Sequence, residues 1–244
     1  MPAGASMSIM GPNGSGKTTL VKMFNGLLLP TTGRVTVDDI DTRSTTISQL
    51  SKKVGVIFQS PEKNFFSETV RDEIAFGPKN MGFTADEVNA VVDDVSGKFG
   101  LRNYLTANPF DLSGGEKRRL SMASVLAWKP DVIVLDEPTI GLDYQYRVFL
   151  IDLIRDLRKE GKSIVTVTHD IDFALQTSER TALLSEGCVV WQGDVTSLLR
   201  SPEAFERANL IQTFLASLCH DLLESGAPER SFAPVDVGSL LGEV

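Results

Sequence analysis

Gly11-Pro12-Asn13-Gly14-Ser15-Gly16-Lys17-Thr18-Thr19 follows the pattern G-x-x-x-x-G-K-[ST]. Residues of these types at this spacing bind a phosphate chain. Backbone N–H groups surround the β-phosphate, Lys17 reaches the β- and γ-phosphates, and the Thr18 hydroxyl offers a ligand to Mg²⁺. Glycine at 11, 14 and 16 permits close backbone approach and dihedrals closed to other residues. The apolar segment Thr19–Leu28 supplies the helix that such a loop must open. The chemistry expected here is that of a bound nucleoside triphosphate.

Two further constellations belong with it. Val132-Ile133-Val134-Leu135-Asp136-Glu137 is a branched apolar run ending in two carboxylates, which makes sense where a strand delivers acids beside a metal–phosphate complex. Asp136 is expected to hold Mg²⁺, directly or through water. Strand alternation sends Glu137 the other way, toward an attacking water, as general base. Leu112-Ser113-Gly114-Gly115-Glu116 puts two glycines at a helix start and leaves N–H groups at the positive end of the dipole, an anion site. If Ser113 lies on a helical insertion far from Lys17, the two phosphate-binding elements cannot serve one nucleotide within one chain. A head-to-tail dimer resolves this, each Ser113 meeting the γ-phosphate held by the other subunit.

Gln59 and His169 are less distinctive. Gln59 ends an apolar strand before Ser60-Pro61 and reads equally as a polar turn. His169 follows the strand Ser163–Val167, on the sheet edge expected for Asp136 and Lys17; it reads as a local hydrogen-bonding group or as a catalytic one. His220 has no such company and reads as structural or solvent-facing.

The elements that must position these residues alternate along the chain. Met7–Met10, Arg34–Val37, Val54–Phe58, Val132–Leu135 and Ser163–Val167 read as strands, and Asp38–Ser48 as a polar connection. Thr181–Leu184 and Cys188–Trp191 form a hairpin turning at Glu186-Gly187. Thr84 with Glu87, and Ser113 with Glu116, are capping boxes ahead of apolar residues at helical spacing. Helices are also expected over Tyr146–Lys159, from Asp170, and from Ser201-Pro202-Glu203. The last carries Leu210, Ile211, Phe214, Leu215, Leu218 and Leu222 along one side, which reads as packing on its own domain or as a subunit contact. Such alternation behind a phosphate loop implies an α/β fold with a mostly parallel sheet and ligand at the carboxyl ends of its strands. The expected organisation is one domain over 1–225 with a helical subdomain at about 66–121, a C-terminal helical extension at 201–225, and a loose tail at 226–244.

The formal charge of −8 on 244 residues disfavours a broad nucleic-acid footprint, which needs clustered Lys and Arg. No apolar run approaches the roughly 18 residues of a membrane span, so no transmembrane segment is expected. Residues 1–10 carry no Lys or Arg, and no basic secretory or organellar leader is expected ahead of the phosphate loop. Cys188 and Cys219 lack metal-ligand spacing and read as buried thiols in a reducing compartment.

The phosphate loop, Gln59, Leu112–Glu116, Val132–Glu137, Gly141-Leu142-Asp143 and His169 stand in an order and spacing that resemble those of ABC transporter ATPase subunits, over nearly the whole chain to about Asp194. The resemblance implies an ABC-type P-loop NTPase fold with a helical subdomain, ATP as substrate and Mg²⁺ as cofactor. It implies that Gln59 touches Mg²⁺ and the attacking water while linking the core to the helical insertion. Asp143 matches the aspartate of the loop that crosses the dimer interface, and His169 the switch histidine that contacts the γ-phosphate. The partner is a second ATPase subunit, identical or related. Family members carry a further segment ahead of the phosphate loop, with a hairpin and an aromatic that stacks on adenine. Met1–Ser8 supply no aromatic and the N-terminal hairpin is expected to be missing: either the sequence begins at a late or internal start, or the protein lacks that base contact. Lost stacking of roughly 1–3 kcal/mol would lower affinity about 10- to 100-fold.

Phe58-Gln59-Ser60-Pro61, Thr69–Pro78 with its Phe76-Gly77-Pro78 run, and Gly115-Glu116-Lys117-Arg118-Arg119 resemble the cobalt-importer and energy-coupling-factor branch. That implies uptake of cobalt, nickel or a vitamin, with an integral membrane coupling protein and a substrate-binding membrane subunit. The ATPase would sit peripherally on the cytoplasmic face of the membrane. The alternatives are another importer branch or a soluble, non-transport ABC ATPase; the single cassette and acidic charge disfavour the latter. Phe65 and Phe66 are adjacent, so both cannot point inward, and one is expected to line a groove for a partner helix. Phe76 is expected in the core.

Overall fold

The computed structural model describes residues 1–60, 65–141 and 143–225. Pro61, Leu142 and the tail expected at 226–244 lie outside them. The elements in order are β1 (Ser6–Met10), α1 (Lys17–Phe24), β2 (Thr36–Val37), β3 (Ile40–Asp41), α2 (Ile47–Ser51), β4 (Val54–Ile57), α3 (Val70–Asn80), α4 (Ala85–Lys98) and α5 (Gly114–Leu126). They continue with β5 (Val132–Asp136), α6 (Tyr144–Lys159), β6 (Ser163–Thr168), α7 (Ile171–Thr177), β7 (Arg180–Ser185), β8 (Cys188–Asp194), α8 (Val195–Leu199), α9 (Pro202–Arg207) and α10 (Phe214–Glu224). The chain divides into two units, Met1–Lys22 with Val134–Val244, and Met23–Ile133.

In the first unit the strands lie in the order β5-β6-β1-β7-β8. β1 is parallel to both neighbours, with Ser6 opposite Ile164 and Ser8 opposite Thr181, while β8 returns antiparallel on β7. β6 reads Ser-Ile-Val-Thr-Val-Thr and is buried throughout, as a β-branched strand covered on both faces should be. Its polar neighbours are satisfied inside the sheet: the buried Ser8 hydroxyl donates to Thr181 Oγ1 at 2.6 Å. α6 packs on β6 and α7 through Leu150, Leu153, Ile154 and Leu157, and the chain turns out of it at Gly161, φ +83°.

The C-terminal part of this unit differs from the single helix expected. Asn209 takes φ +51°, and the chain starts again at Thr213, whose hydroxyl accepts the Ala216 N–H at 3.2 Å. The break turns the apolar residues to different sides. Ala216, Cys219 and Leu223 join Phe205, Leu198, Leu199 and the α7 residues Ile171, Ala174 and Leu175 in one core, whereas Ile211, Phe214, Leu218 and Leu222 are exposed. Cys219 is buried as expected, but Cys188, at the first position of edge strand β8, is exposed. His220 Nδ1 lies 2.8 Å from Leu199 O and ties α10 to α8.

In the second unit α3 packs on α4 and α5. Both capping boxes form: Glu87 Oε2 accepts the Thr84 N–H at 2.7 Å, and Glu116 Oε2 accepts the Ser113 N–H at 2.8 Å. The stretch Asp38–Ser48 is more than a connection. Asp38 and Asp39, at φ +47° and +63°, make a two-residue turn between β2 and β3, and Thr46 with Gln49 caps α2. The amides of Asp131 and Val132 donate to Lys53 O at 3.0 and 2.9 Å, bringing the start of β5 beside β4.

Candidate triphosphate and hydrolysis site

The phosphate loop leaves β1 and enters α1 with its conformation fixed by packing. A Cβ on Gly11 would lie 2.2 Å from the Leu184 carbonyl oxygen and 2.8 Å from Ser15 Oγ, so only glycine fits against β7. The Gly187 N–H in the β7–β8 turn donates to Ser15 O at 3.1 Å and holds the loop from the same side. Gly14 and Gly16, at φ +83° and +99°, turn the backbone as L side chains rarely can. Lys17 is buried and its Nζ donates to Gly11 O and Pro12 O at 2.7 and 3.0 Å. Burial pulls its pKa down, against the opposing influence of Glu137 and Asp136. Asn13, Thr18 and Thr19 are exposed at the loop's end and the first turn of α1.

The two acids close the same site. The Thr18 hydroxyl donates to Asp136 Oδ2 at 3.3 Å, joining residues 118 apart in sequence. Asp136 is 4% exposed, and burial, with the neighbouring Glu137 charge, raises its carboxyl pKa against the opposing Thr18 hydrogen bond and Lys17 charge. Glu137 does not follow strand alternation. β5 ends at Asp136, and Glu137 takes φ +50°, a left-handed conformation that costs a non-glycine residue about 1–3 kcal/mol. Its N–H is held by Val167 O at 2.8 Å, and its carboxylate receives the Thr168 hydroxyl at 3.3 Å and stands 3.0 Å from His169 Nδ1. A turn, not a pleat, therefore aims this side chain. Glu137 is buried, and the His169 side chain is half exposed.

Asp143 is the exposed N-cap of α6, accepting the Tyr146 N–H at 2.7 Å. Lys17, Thr18, Asp136, Glu137 and His169 are thus brought together in the first unit, with Asp143 on the same unit. Gln59, Ser113, Gly114 and Gly115 belong to the second unit, all exposed: Gln59 just after β4, and Ser113–Gly115 at the start of α5.

The second unit also carries a groove whose lining includes Val56, Phe58, Phe65, Phe66, Phe76 and Trp128. The two adjacent phenylalanines part as expected: Phe65 is 7% exposed and Phe66 59%. Phe76 is not a core residue; it is 46% exposed and stands edge-on to Phe66. Gly77 explains the Phe-Gly-Pro run, since a Cβ there would come within 2.3 Å of the Trp128 ring.

Residues 1–140 match the family model described as ABC transporter. The chain belongs to the ABC transporter family. A Pyrococcus furiosus protein provisionally named an ABC transporter ATP-binding protein is 47% identical over 216 residues, covering 88% of this chain and 82% of its own. The energy-coupling factor transporter ATP-binding protein EcfA of Methanothermobacter thermautotrophicus is 37% identical over 225 residues, 91% of this chain and 72% of that one. Among solved structures, CbiO1 from Clostridium perfringens, described as part of the ABC transporter complex CbiONQ, superposes with a TM-score of 0.73. It is 33% identical, covering 91% of this chain and 88% of that one. A dimeric ATP-binding cassette in a post-hydrolysis state with ADP and phosphate superposes with a TM-score of 0.72 at 30% identity, covering 79% of this chain and 86% of its own.

As an ABC ATPase subunit the chain hydrolyses ATP to power membrane transport, and the family binds ATP with Mg²⁺. The Mg²⁺ fits the residues present. Asp136 Oδ1 is buried with no hydrogen-bond partner among the described residues, and the Asp136 carboxylate and Thr18 hydroxyl make the hard all-oxygen donor set this ion prefers. Ser15 Oγ, on the phosphate loop, is likewise buried without a partner among the described residues. No helix among the described residues is long and apolar enough to cross a membrane. Two contributors to the candidate site have no motif of their own. Thr168 reads in sequence as one more β-branched strand residue, and the Leu184–Gly187 support for the phosphate loop arises from a strand order that local patterning does not encode.

Proposed function

We propose that this chain is the ATPase subunit of an energy-coupling-factor-type importer, driving uptake of a transition metal ion such as cobalt or nickel, or of a vitamin. The observation that carries the hydrolytic part is the convergence of Lys17, Thr18, Asp136, Glu137 and His169 in one unit. The branch is supported by the Phe58-Gln59-Ser60 and Phe76-Gly77-Pro78 runs and by the relatives named EcfA and CbiO1.

In the reaction, Lys17 and the loop amides of 11–19 hold the triphosphate. Thr18 and Asp136 would hold Mg²⁺, which would supply charge neutralisation to the triphosphate. Glu137 takes a proton from water as the water oxygen bonds to the γ-phosphorus. The bond to the β,γ-bridging oxygen breaks, leaving ADP and phosphate. His169 leaves the Glu137 carboxylate to donate to the γ-phosphate. The roles of Gln59 at the Mg²⁺ and water, and of Ser113, Gly114 and Gly115 toward ATP on a second, identical or related subunit, rest on their motifs; so does that of Asp143 at the subunit interface.

The groove at Phe66 and Phe76 fits an apolar helix of an integral membrane coupling protein, which in turn holds a substrate-binding membrane subunit, with this chain on the cytoplasmic face. Copurification from native membranes, followed by identification of the bound metal or vitamin, tests the branch. A complex with a periplasmic-type binding protein and no membrane substrate-binding subunit would favour another importer branch.

A further inference from the structure

Thr168 ends β6 with no exposed surface, and its hydroxyl makes two contacts. It donates to Glu137 Oε2 at 3.3 Å and accepts the Asp170 N–H at 3.0 Å. A threonine hydroxyl has one hydrogen, so with the amide on its lone pair the proton is left for the carboxylate. The Asp170 amide is itself fixed. Asp170 Oδ1 accepts the Phe173 N–H at 2.9 Å as the cap of α7, and both carboxylate oxygens take hydrogen bonds from the Arg147 guanidinium, one of them at 3.1 Å from Nη2. Arg147 also lies over the Phe173 ring, 5.6 Å from its centroid. Both partners of the ion pair are mostly shielded, and a two-point Arg–carboxylate contact fixes geometry where a single surface pair does little. Arg147 stands in the first turn of α6, and its N–H donates to Asp143 O at 3.1 Å.

We propose that Thr168 is a positioning residue for Glu137, and that the Arg147–Asp170 pair sets the position of Thr168 from the start of α6. The inference rests on Glu137 acting as general base. Glu137 stands at φ +50° beyond the end of β5, so no strand ladder aims its carboxylate. Of its two side-chain partners among the described residues, His169 departs for the γ-phosphate in the proposed cycle. Thr168, on a fully buried strand, is the one that stays.

The test uses the full chain and compares Thr168→Val, Thr168→Ser, Arg147→Met and Glu137→Gln. Valine keeps the shape of threonine and removes the hydroxyl. The expected result for Thr168→Val is a kcat lower by about 10- to 100-fold, the scale of a misaimed catalytic group, with KM for ATP and Tm close to the unmodified protein. Thr168→Ser should restore most of the rate. Arg147→Met should lower kcat in the same sense, and the double variant should lose less than the product of the two single losses. Unmodified turnover in Thr168→Val, with turnover abolished in Glu137→Gln, overturns the role of Thr168 and leaves the base standing. Unmodified turnover in Glu137→Gln removes both together. A lower Tm in the valine and serine variants alike, without the kcat loss and its rescue, reduces Thr168 to a structural residue. Should Thr168→Val not fold, Arg147→Met at its partly exposed site decides, and an unchanged kcat there overturns the proposal.

Discussion

Phe66 and Phe76 meet edge-on, with ring centroids 4.4 Å apart and planes at 76°, on the wall of one groove, while Phe65 beside them is buried. In the proposed complex the pair is the apolar anchor that a helix of the membrane partner would cover. Phe66→Asp or Phe76→Asp should therefore weaken association with the membrane partner by about 2 kcal/mol or more, roughly 30-fold, and reduce uptake accordingly. ATP hydrolysis by the isolated subunit should persist. Phe65→Asp behaves differently: a charge at a buried site lowers Tm before any partner is added. Copurification, uptake and thermal melts separate the three variants, and full uptake by both groove variants would move the contact elsewhere.

Glu137→Gln should keep ATP binding and lose turnover by about 10²- to 10⁴-fold, the range of a general base. Held before hydrolysis, this variant should sediment as a dimer in Mg-ATP and as a monomer in ADP. A monomer at saturating Mg-ATP would count against a site shared between subunits through Ser113.

Asp136 is a buried carboxylate whose Oδ1 has no hydrogen-bond partner among the described residues, and it is the proposed Mg²⁺ ligand. Asp136→Asn should raise the Tm of the nucleotide-free protein by roughly 2–4 °C, the scale of 1 kcal/mol in a chain this long. It should abolish the further rise that Mg²⁺ adds to ATP in the unmodified protein. Thermal melts with ATP alone and with Mg-ATP make the comparison; a lower Tm for the nucleotide-free variant would mean that the charge is stabilising without metal.

Glu116 has its carboxyl held down to about 2 by hydrogen bonds from the Tyr104 hydroxyl and then from the Ser113 hydroxyl and amide. A depressed folded pKa stabilises above the unfolded value of 4.5, and that stabilisation fades as pH falls through about 2. The α5 cap should accordingly weaken between pH 4.5 and 2. Glu116→Gln should cost about 1 kcal/mol at pH 7, the scale of a lost helix cap, and progressively less in acid. Urea midpoints of the two proteins that differ equally at pH 7 and pH 3 would refute this.

Much of the site was legible because its residues act through local rules. The glycine spacing at 11–16 states a backbone conformation, and the capping boxes at Thr84 and Ser113 state where helices begin. The acids at 136 and 137 announce a strand end, and β5 does end there. What stayed hidden depends on contacts distant in sequence or on single dihedrals. The direction of Glu137 is decided by one positive φ and an amide bond to Val167, not by the alternation of β5. Phe76 reads as core by hydrophobicity alone, yet Gly77 seats against Trp128 and leaves the phenylalanine outside. The C-terminal stripe looked continuous because a helical period runs through 210–222, and the turn at Asn209 divides it.

The walls of the phosphate loop come from the far end of the chain. β1 pairs with β6 and β7, Gly11 rests on Leu184, and Gly187 holds Ser15. A ribosome that has released residues 11–19 has therefore made the nucleotide's cradle in sequence but not in shape. At about 5–20 residues per second the supporting strands follow only after roughly 10–30 s. Until then the glycine-rich stretch is an unsupported peptide with nothing to hold its amides inward. ATP is consequently a ligand only of chains whose synthesis has passed Gly187, and in a translating cell it stabilises those molecules and not shorter ones.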